Sequence, residues 1–363
     1  MTSRDGRVVT VGFMPLLDSA LLVAAHEMGF AEEQGIRLRL VREVSWANLR
    51  DRVGLGHFDA AHMLGPMVVA SNLLAKRGDL PLMAPVALGL GGNAITVSRP
   101  LWRDMESQGA THGAAPAVQA TALARVVAER QRNQLQPLTL AMVFPFSCHN
   151  YQLRDWLLGS GIDPDRDVRL IVVPPPMLVE ALRTGQVDGF CVGEPWNSLA
   201  VDAGLGTIVA VSCDIWRNPP EKVLGMSVGY IDKNPEVCGA LVRAVVAASR
   251  CMSDATCRDE LVRLLSQTRY VGAPEPLLRG ALNGKIVQSA GGPPVSHPGF
   301  FQLNEAATVP LREHAQRFCE QIGRWRQIDF SADEAAQAIA SFRPDLHAGF
   351  LGSQVNDARG RQG

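Results

Sequence analysis

Residues 185–197 read GQVDGFCVGEPWN, and residues 56–66 read GHFDAAHMLGP. Each stretch opens with Gly, a variable residue, a hydrophobic residue and Asp. Each then runs through small or apolar residues to a Gly that leads into a Pro. Gly and the residue after it suit a tight turn out of a helix. The apolar run after Asp59 or Asp188 suits a short buried strand, and Pro66 or Pro195 suits the first turn of the next helix, where no N–H is missed. One such unit is weak evidence. Two of them, 129 positions apart, predict two similar lobes.

The surrounding sequence extends the repeat. VVTVGF (8–13), IRLRLV (36–41) and FDAAHM (58–63) read as strands, with helices over 16–28, 46–53 and 66–75. LTLAMVF (138–144), VRLIVV (168–173) and VDGFCV (187–192) repeat that order, with helices over 149–158, 177–183 and 195–203. Strand–helix alternation of this kind predicts parallel sheets covered by helices. AITV (94–97) and VLGMSVGY (223–230) fall outside the repeat and are placed to cross between lobes. Further helix is expected over 234–265, 275–282, 311–321 and 332–342, and an irregular loop over 284–300. The expected fold is α/β, a two-lobed binding-protein architecture with a helical C-terminal extension. Residues 1–95 form the first segment of lobe 1 and 96–215 lobe 2. Residues 216–345 return to lobe 1 and add the C-terminal helices, and 346–363 are a frayed tail.

Composition narrows the function. The chain has 363 residues, enough for a large core, and 35 Lys and Arg against 36 Asp and Glu. A net charge of −1 gives no broad electrostatic case for nucleic acid or an anionic membrane surface. The seven cysteines are scattered without a CxxC pair, and Cys148-His149 has no partner at zinc-finger spacing, so most are expected to be reduced structural thiols. The start, MTSRDGRVVTVGFMP, lacks the charged and apolar regions of a secretory signal, which leads to an expected cytoplasmic location. There is no GxSxG elbow, no Walker A sequence and no HExxH, and neither cofactor nor metal is expected.

In open α/β sheets, ligands sit beyond the carboxyl ends of the strands. Those places hold Asp18 and Ser19, Trp46, the Gly91-Gly92-Asn93 turn, Cys148-His149-Asn150, Gly193-Glu194-Pro195 and Glu221-Lys222. Helix N-termini and backbone N–H groups therefore converge from both halves. Trp46, His149 and Lys222 add donors and positive charge, a set suited to a small anion without competing acceptors. The candidate ligand-binding residues are Trp46, Gly91, Asn93, His149, Gly193 and Lys222. Asp59 and Asp188 are read as turn residues, His26 and His62 as packed. Glu194 is read as a helix-terminal residue or interlobe clasp, and Trp196 as core.

The segments VGFMPLLDSALLVAAHEMGFAEEQGI, SWANLRDRV, DGFCVGEPWN and PEKVLG resemble the nitrate/bicarbonate-binding branch of the type II periplasmic binding proteins, over residues 8–342. The resemblance implies ligand contact at Trp46, His149 and Lys222, whereas Gly91 stands where those members carry a Gln. It further implies a NasS-type cytoplasmic sensor of nitrate or nitrite, which sequesters an ANTAR-type RNA-binding antiterminator when anion-free. The rival readings are the substrate-binding component of an ABC importer for nitrate, bicarbonate or an organosulfonate, and a thiamine-pyrimidine synthase-like enzyme.

Overall fold

The protein is described here from a computed structural model covering residues 6–360. Its first eleven strands, in chain order, are β1 (Arg7–Phe13), β2 (Ile36–Arg42), β3 (Ala60–Leu64), β4 (Leu82–Ala87), β5 (Leu90–Gly91), β6 (Asn93–Ser98), β7 (Thr139–Met142), β8 (Arg169–Val172), β9 (Gly189–Gly193), β10 (Gly206–Val211) and β11 (Lys222–Ser227). Two five-stranded sheets result, ordered β2-β1-β3-β11-β4 and β10-β6-β9-β7-β8.

Residues 56–66 and 185–197 do the same work in their respective sheets. Gly56 and Gly185 turn at φ +74° and +69°, a region that glycine enters without steric cost. Asp59 Oδ2 then accepts the Thr10 N–H of β1 at 2.7 Å, and Asp188 Oδ2 accepts the Thr139 N–H of β7 at 2.7 Å. Arg39 Nε donates to Thr10 Oγ1 and Arg169 Nε to Thr139 Oγ1. The same four-residue knot thus closes each half and fixes the register of the third strand on the first.

The repeat alone predicts purely parallel sheets, and neither sheet is so. β6 runs antiparallel to β9 and β10, and β11 antiparallel to β3 and β4. Each is the first strand after the chain changes sheet, so each enters from the side at which the other strands end. The expected strand over 223–230 is β11 followed by a helix, Val228–Lys233, capped by the Ser227 hydroxyl. β4, β10 and the helix Pro116–Arg132 carry no copy of the repeat's signature.

The helix Ala20–Glu27 is buried on nearly every side, packed between the first sheet and the helix Pro235–Cys251. The helical stretch expected over 234–265 breaks near Asp254, which caps the helix Ala255–Leu265 by accepting the Cys257 N–H. The expected loop over 284–300 contains a small hairpin, Lys285–Val287 paired with Pro294–Ser296. The expected frayed tail is a helix, Pro344–Gly360, and residues 361–363 lie outside the described residues. Cys251 and Cys257 form a disulfide and the other five cysteines are free, so most but not all of the seven are reduced. No helix among the described residues is long and apolar enough to cross a membrane.

Several contacts draw the halves together. Leu17 N–H donates to Glu194 O at 2.8 Å and Trp196 Nε1 to Pro15 O at 3.1 Å. On the far side, the helix Arg312–Arg324 lays Phe318 against the helix Gly65–Leu73, while its Gln321 and Arg324 donate to Asp155 of the helix Cys148–Leu158. The C-terminal extension therefore touches both halves.

Candidate functional site

Lys222 is the first residue of β11, and its side chain is fully buried between the sheets. Its Nζ lies 2.8 Å from Asp18 Oδ2 and 2.5 Å from Glu221 Oε1. Burial alone lowers a lysine's proton affinity, but the two carboxylates reverse this and hold Lys222 above its ordinary value, so it is charged.

Two networks run outward from the ammonium. In the first, Asp18 Oδ1 lies 2.9 Å from His62 Nε2, and His62 Nδ1 accepts the Met14 N–H at 3.4 Å. That backbone bond sets the tautomer, leaving the Nε2 proton to face Asp18. Burial raises the carboxyl of Asp18, but Lys222 and His62 outweigh it and hold Asp18 well below the usual range. In the second network, Asn93 Nδ2 donates to Glu221 Oε2 at 2.6 Å and to Gln152 Oε1 at 3.0 Å. Burial pushes Glu221 up, with Lys222 opposing.

The remaining polar groups of the cluster have no protein partner. Trp46 stands at the start of its helix, whose cap is the Ser45 hydroxyl, and the Lys222 ammonium lies 5.5 Å from the centre of its indole. Trp46 Nε1 is buried and unbonded. His149 sits in the first turn of the helix Cys148–Leu158, capped by Ser147. Both its ring nitrogens are unbonded, and Nε2 lies 3.8 Å from Glu221 Oε1. Burial, reinforced by Lys222, keeps this imidazole neutral, so one nitrogen is a donor. One turn on, Gln152 Nε2 is a third buried N–H group without an acceptor. Each unmet buried donor costs about 1–3 kcal/mol. Three of them beside a buried ammonium make a place prepared for hydrogen-bond acceptors carrying negative charge.

The chain belongs to the NMT1-like family. The family model matches residues 4–266. The chain is 31% identical to the nitrate/nitrite binding protein NrtA of Synechococcus elongatus over 347 residues, covering 93% of this chain and 76% of that protein. It is 34% identical to the nitrate import ATP-binding protein NrtC of Synechocystis over 342 residues, covering 93% of this chain. There it spans about half of the relative, 48% of its length. The crystal structure of the periplasmic nitrate-binding protein NrtA from Synechocystis superposes with a TM-score of 0.86 at 25% identity, covering 96% of this chain and 89% of that one. The two-lobed periplasmic binding-protein fold is thereby shared across nearly the whole chain.

Set against this family fold, the six candidate residues divide. Trp46, His149 and Lys222 come together with unsatisfied or charged groups. Asn93 is present in the cluster through its side chain, where it ties Glu221 to Gln152. Gly193 pairs with Asn93 in the β6–β9 ladder, and a methyl group there would come within 3.5 Å of Asp18 Oδ2. Gly91 has a conformational role. Its φ is +76°, its N–H is taken by Pro219 O at 2.8 Å, and a Cβ would meet Phe300 O at 2.1 Å.

The expectation of a pocket free of competing acceptors is corrected by Asp18, Glu221 and the buried, unbonded Asn93 Oδ1. His62, read as packed, is buried but faces Asp18 within the cluster. Gln152 was missed, although its three-residue offset from His149 puts both on one helix face. Glu194 does serve its helix, with Oε2 accepting the Ser198 N–H at 3.2 Å. Burial, opposed by those Ser198 bonds, raises its carboxyl to about 7. Trp196 is half-buried and reaches across to Pro15.

Proposed function

We propose that this chain is a binding protein for a small inorganic oxyanion, nitrate, nitrite or bicarbonate, held between the lobes by Lys222, His149, Trp46 and Gln152, and that it serves as the substrate-binding component of an ABC-type importer. The observation that carries the reading is the buried ammonium surrounded by N–H groups without acceptors. The family relatives support the choice of anion and the role in import. Gly193 borders the cluster, where a side chain would crowd Asn93 Oδ1 and Asp18 Oδ2.

A thermal-shift panel tests the binding. Saturating nitrate, nitrite or bicarbonate stabilises the folded chain, by about 2.7 kcal/mol at one hundred times the dissociation constant, and chloride at equal ionic strength does not. No stabilisation by any of the three defeats the reading.

A cytoplasmic sensor that holds an ANTAR-type antiterminator would use the same cleft. The two roles separate by partner: the sensor forms a complex with the antiterminator that nitrate dissociates, and the importer component forms none.

A further inference from the structure

The cluster holds one cation and two carboxylates. Lys222 contacts both Asp18 and Glu221. The other titratable groups facing Glu221 are His149 and Cys148 from the helix Cys148–Leu158 and Cys191 from β9, while His62 from β3 faces Asp18. Burial holds both thiols and both imidazoles uncharged. With both carboxylates ionised, the cluster carries a net charge of one minus, and a monoanion would double it. Every one of these side chains is buried, so the excess is not dispersed into water. Something must be neutralised when the anion enters.

The two carboxylates are not equivalent. Asp18 faces a charged donor, Lys222, and the N–H of His62. Glu221 shares Lys222 and otherwise meets only uncharged groups, the Asn93 amide, the Cys148 thiol and the His149 ring. Its Oε1 lies 2.5 Å from Lys222 Nζ and 3.8 Å from His149 Nε2, one of the unbonded ring nitrogens.

We infer that Glu221 takes up one proton for each anion bound, and that the paired, still ionised Asp18 restricts the cleft to monovalent oxyanions. The step balances simply: one proton leaves solvent and bonds to a Glu221 carboxylate oxygen as one anion enters. Lys222 is then relieved of one carboxylate and turns its charge to the ligand, and the Glu221 hydroxyl becomes a further donor. With that proton taken up, a monoanion returns the cluster to its ligand-free charge of one minus, whereas a dianion such as sulfate leaves it at two minus. The inference rests on the anion reading above.

Calorimetric titration with nitrate near pH 8, in two buffers of different ionisation heat, counts the protons. The expected count is close to one, with affinity falling about tenfold per pH unit on the alkaline side and no heat from sulfate. Glu221→Gln, which carries the neutral form permanently, binds nitrate with a count near zero and a flat pH profile. Glu194→Gln, altering the other buried carboxyl beside the cleft, keeps the wild-type count. Nitrate binding by the wild type with no proton uptake, or a count abolished in Glu194→Gln and kept in Glu221→Gln, overturns the inference while leaving anion binding intact. Absence of binding by nitrate, nitrite and bicarbonate alike overturns the anion reading and the inference with it.

Discussion

Replacing Lys222 by Met removes the charge at nearly constant volume, so the effect is electrostatic rather than a cavity. Asp18 and Glu221 would then be buried together without a cation. Breaking a buried ion pair from one side destabilises by about 3–5 kcal/mol, and here two carboxylates lose the same partner. The pH dependence gives a sharper test. In the wild type, Asp18 is held below its ordinary value of 3.8, so its pairing stabilises the fold at neutral pH. That contribution disappears as pH falls through its depressed folded value. In the variant both carboxyls are raised, so their penalty is full at neutral pH and is relieved as they take up protons on acidification. The stability gap between wild type and Lys222→Met should therefore be several kcal/mol near pH 7.5 and shrink markedly towards pH 4.5, as read by urea unfolding. Adding Asp18→Asn and Glu221→Gln to the variant should recover most of the loss. A gap below about 1 kcal/mol at pH 7.5, within the range of exposed pairs, or one that does not change with pH, would refute the description of Lys222 as the neutralising centre of a buried cluster.

Two further perturbations follow from individual positions. Glu194 is raised to about 7, so its burial weakens the fold as pH rises through that value. Glu194→Gln keeps an acceptor for the Ser198 N–H and should add up to about 3 kcal/mol near pH 8 and little below pH 4.5, measured by denaturant unfolding at both. Gly91→Ala should destabilise by more than about 2 kcal/mol, because a positive φ coincides with a backbone oxygen where the Cβ would go. An alanine variant with wild-type melting behaviour would contradict that placement.

The repeat was legible because its parts are local. Gly56 with Asp59, and Gly185 with Asp188, announce a turn, a strand and a bond back to the preceding strand through residue types that few other structures require. The lobes, most helices, Trp46 and His149 followed from it, and Lys222 from the return crossing that the repeat leaves over. β4 and β10 were not legible, since each is defined by the antiparallel strand beside it, β11 or β6, and pairing of that range leaves no local signal. The same limit applies to the site. Asp18 and Lys222 are 204 positions apart, and nothing near either one states that they meet. Glu221 adjoins Lys222 in sequence, but β-strand alternation predicts that neighbours point apart. They meet because Glu221 lies just before β11, outside the pleat. His62 reads as a packed residue because its strand is apolar, and burial is what it shares with packed residues. Its tautomer, fixed by Met14, is visible only in three dimensions.

If the buried N–H groups around Lys222 are held for an oxyanion, removing the Trp46 indole N–H weakens anion binding. Trp46→Phe keeps most of the aromatic packing and deletes one unbonded donor. Calorimetric titration of this variant and of the wild type with nitrate should give one site in each, with affinity about 10- to 100-fold weaker in the variant, the size of one hydrogen bond to a charged group, and with thermal stability unimpaired. Equal affinity in the two proteins would show that the indole N–H does not meet the anion and would contradict the account of the site.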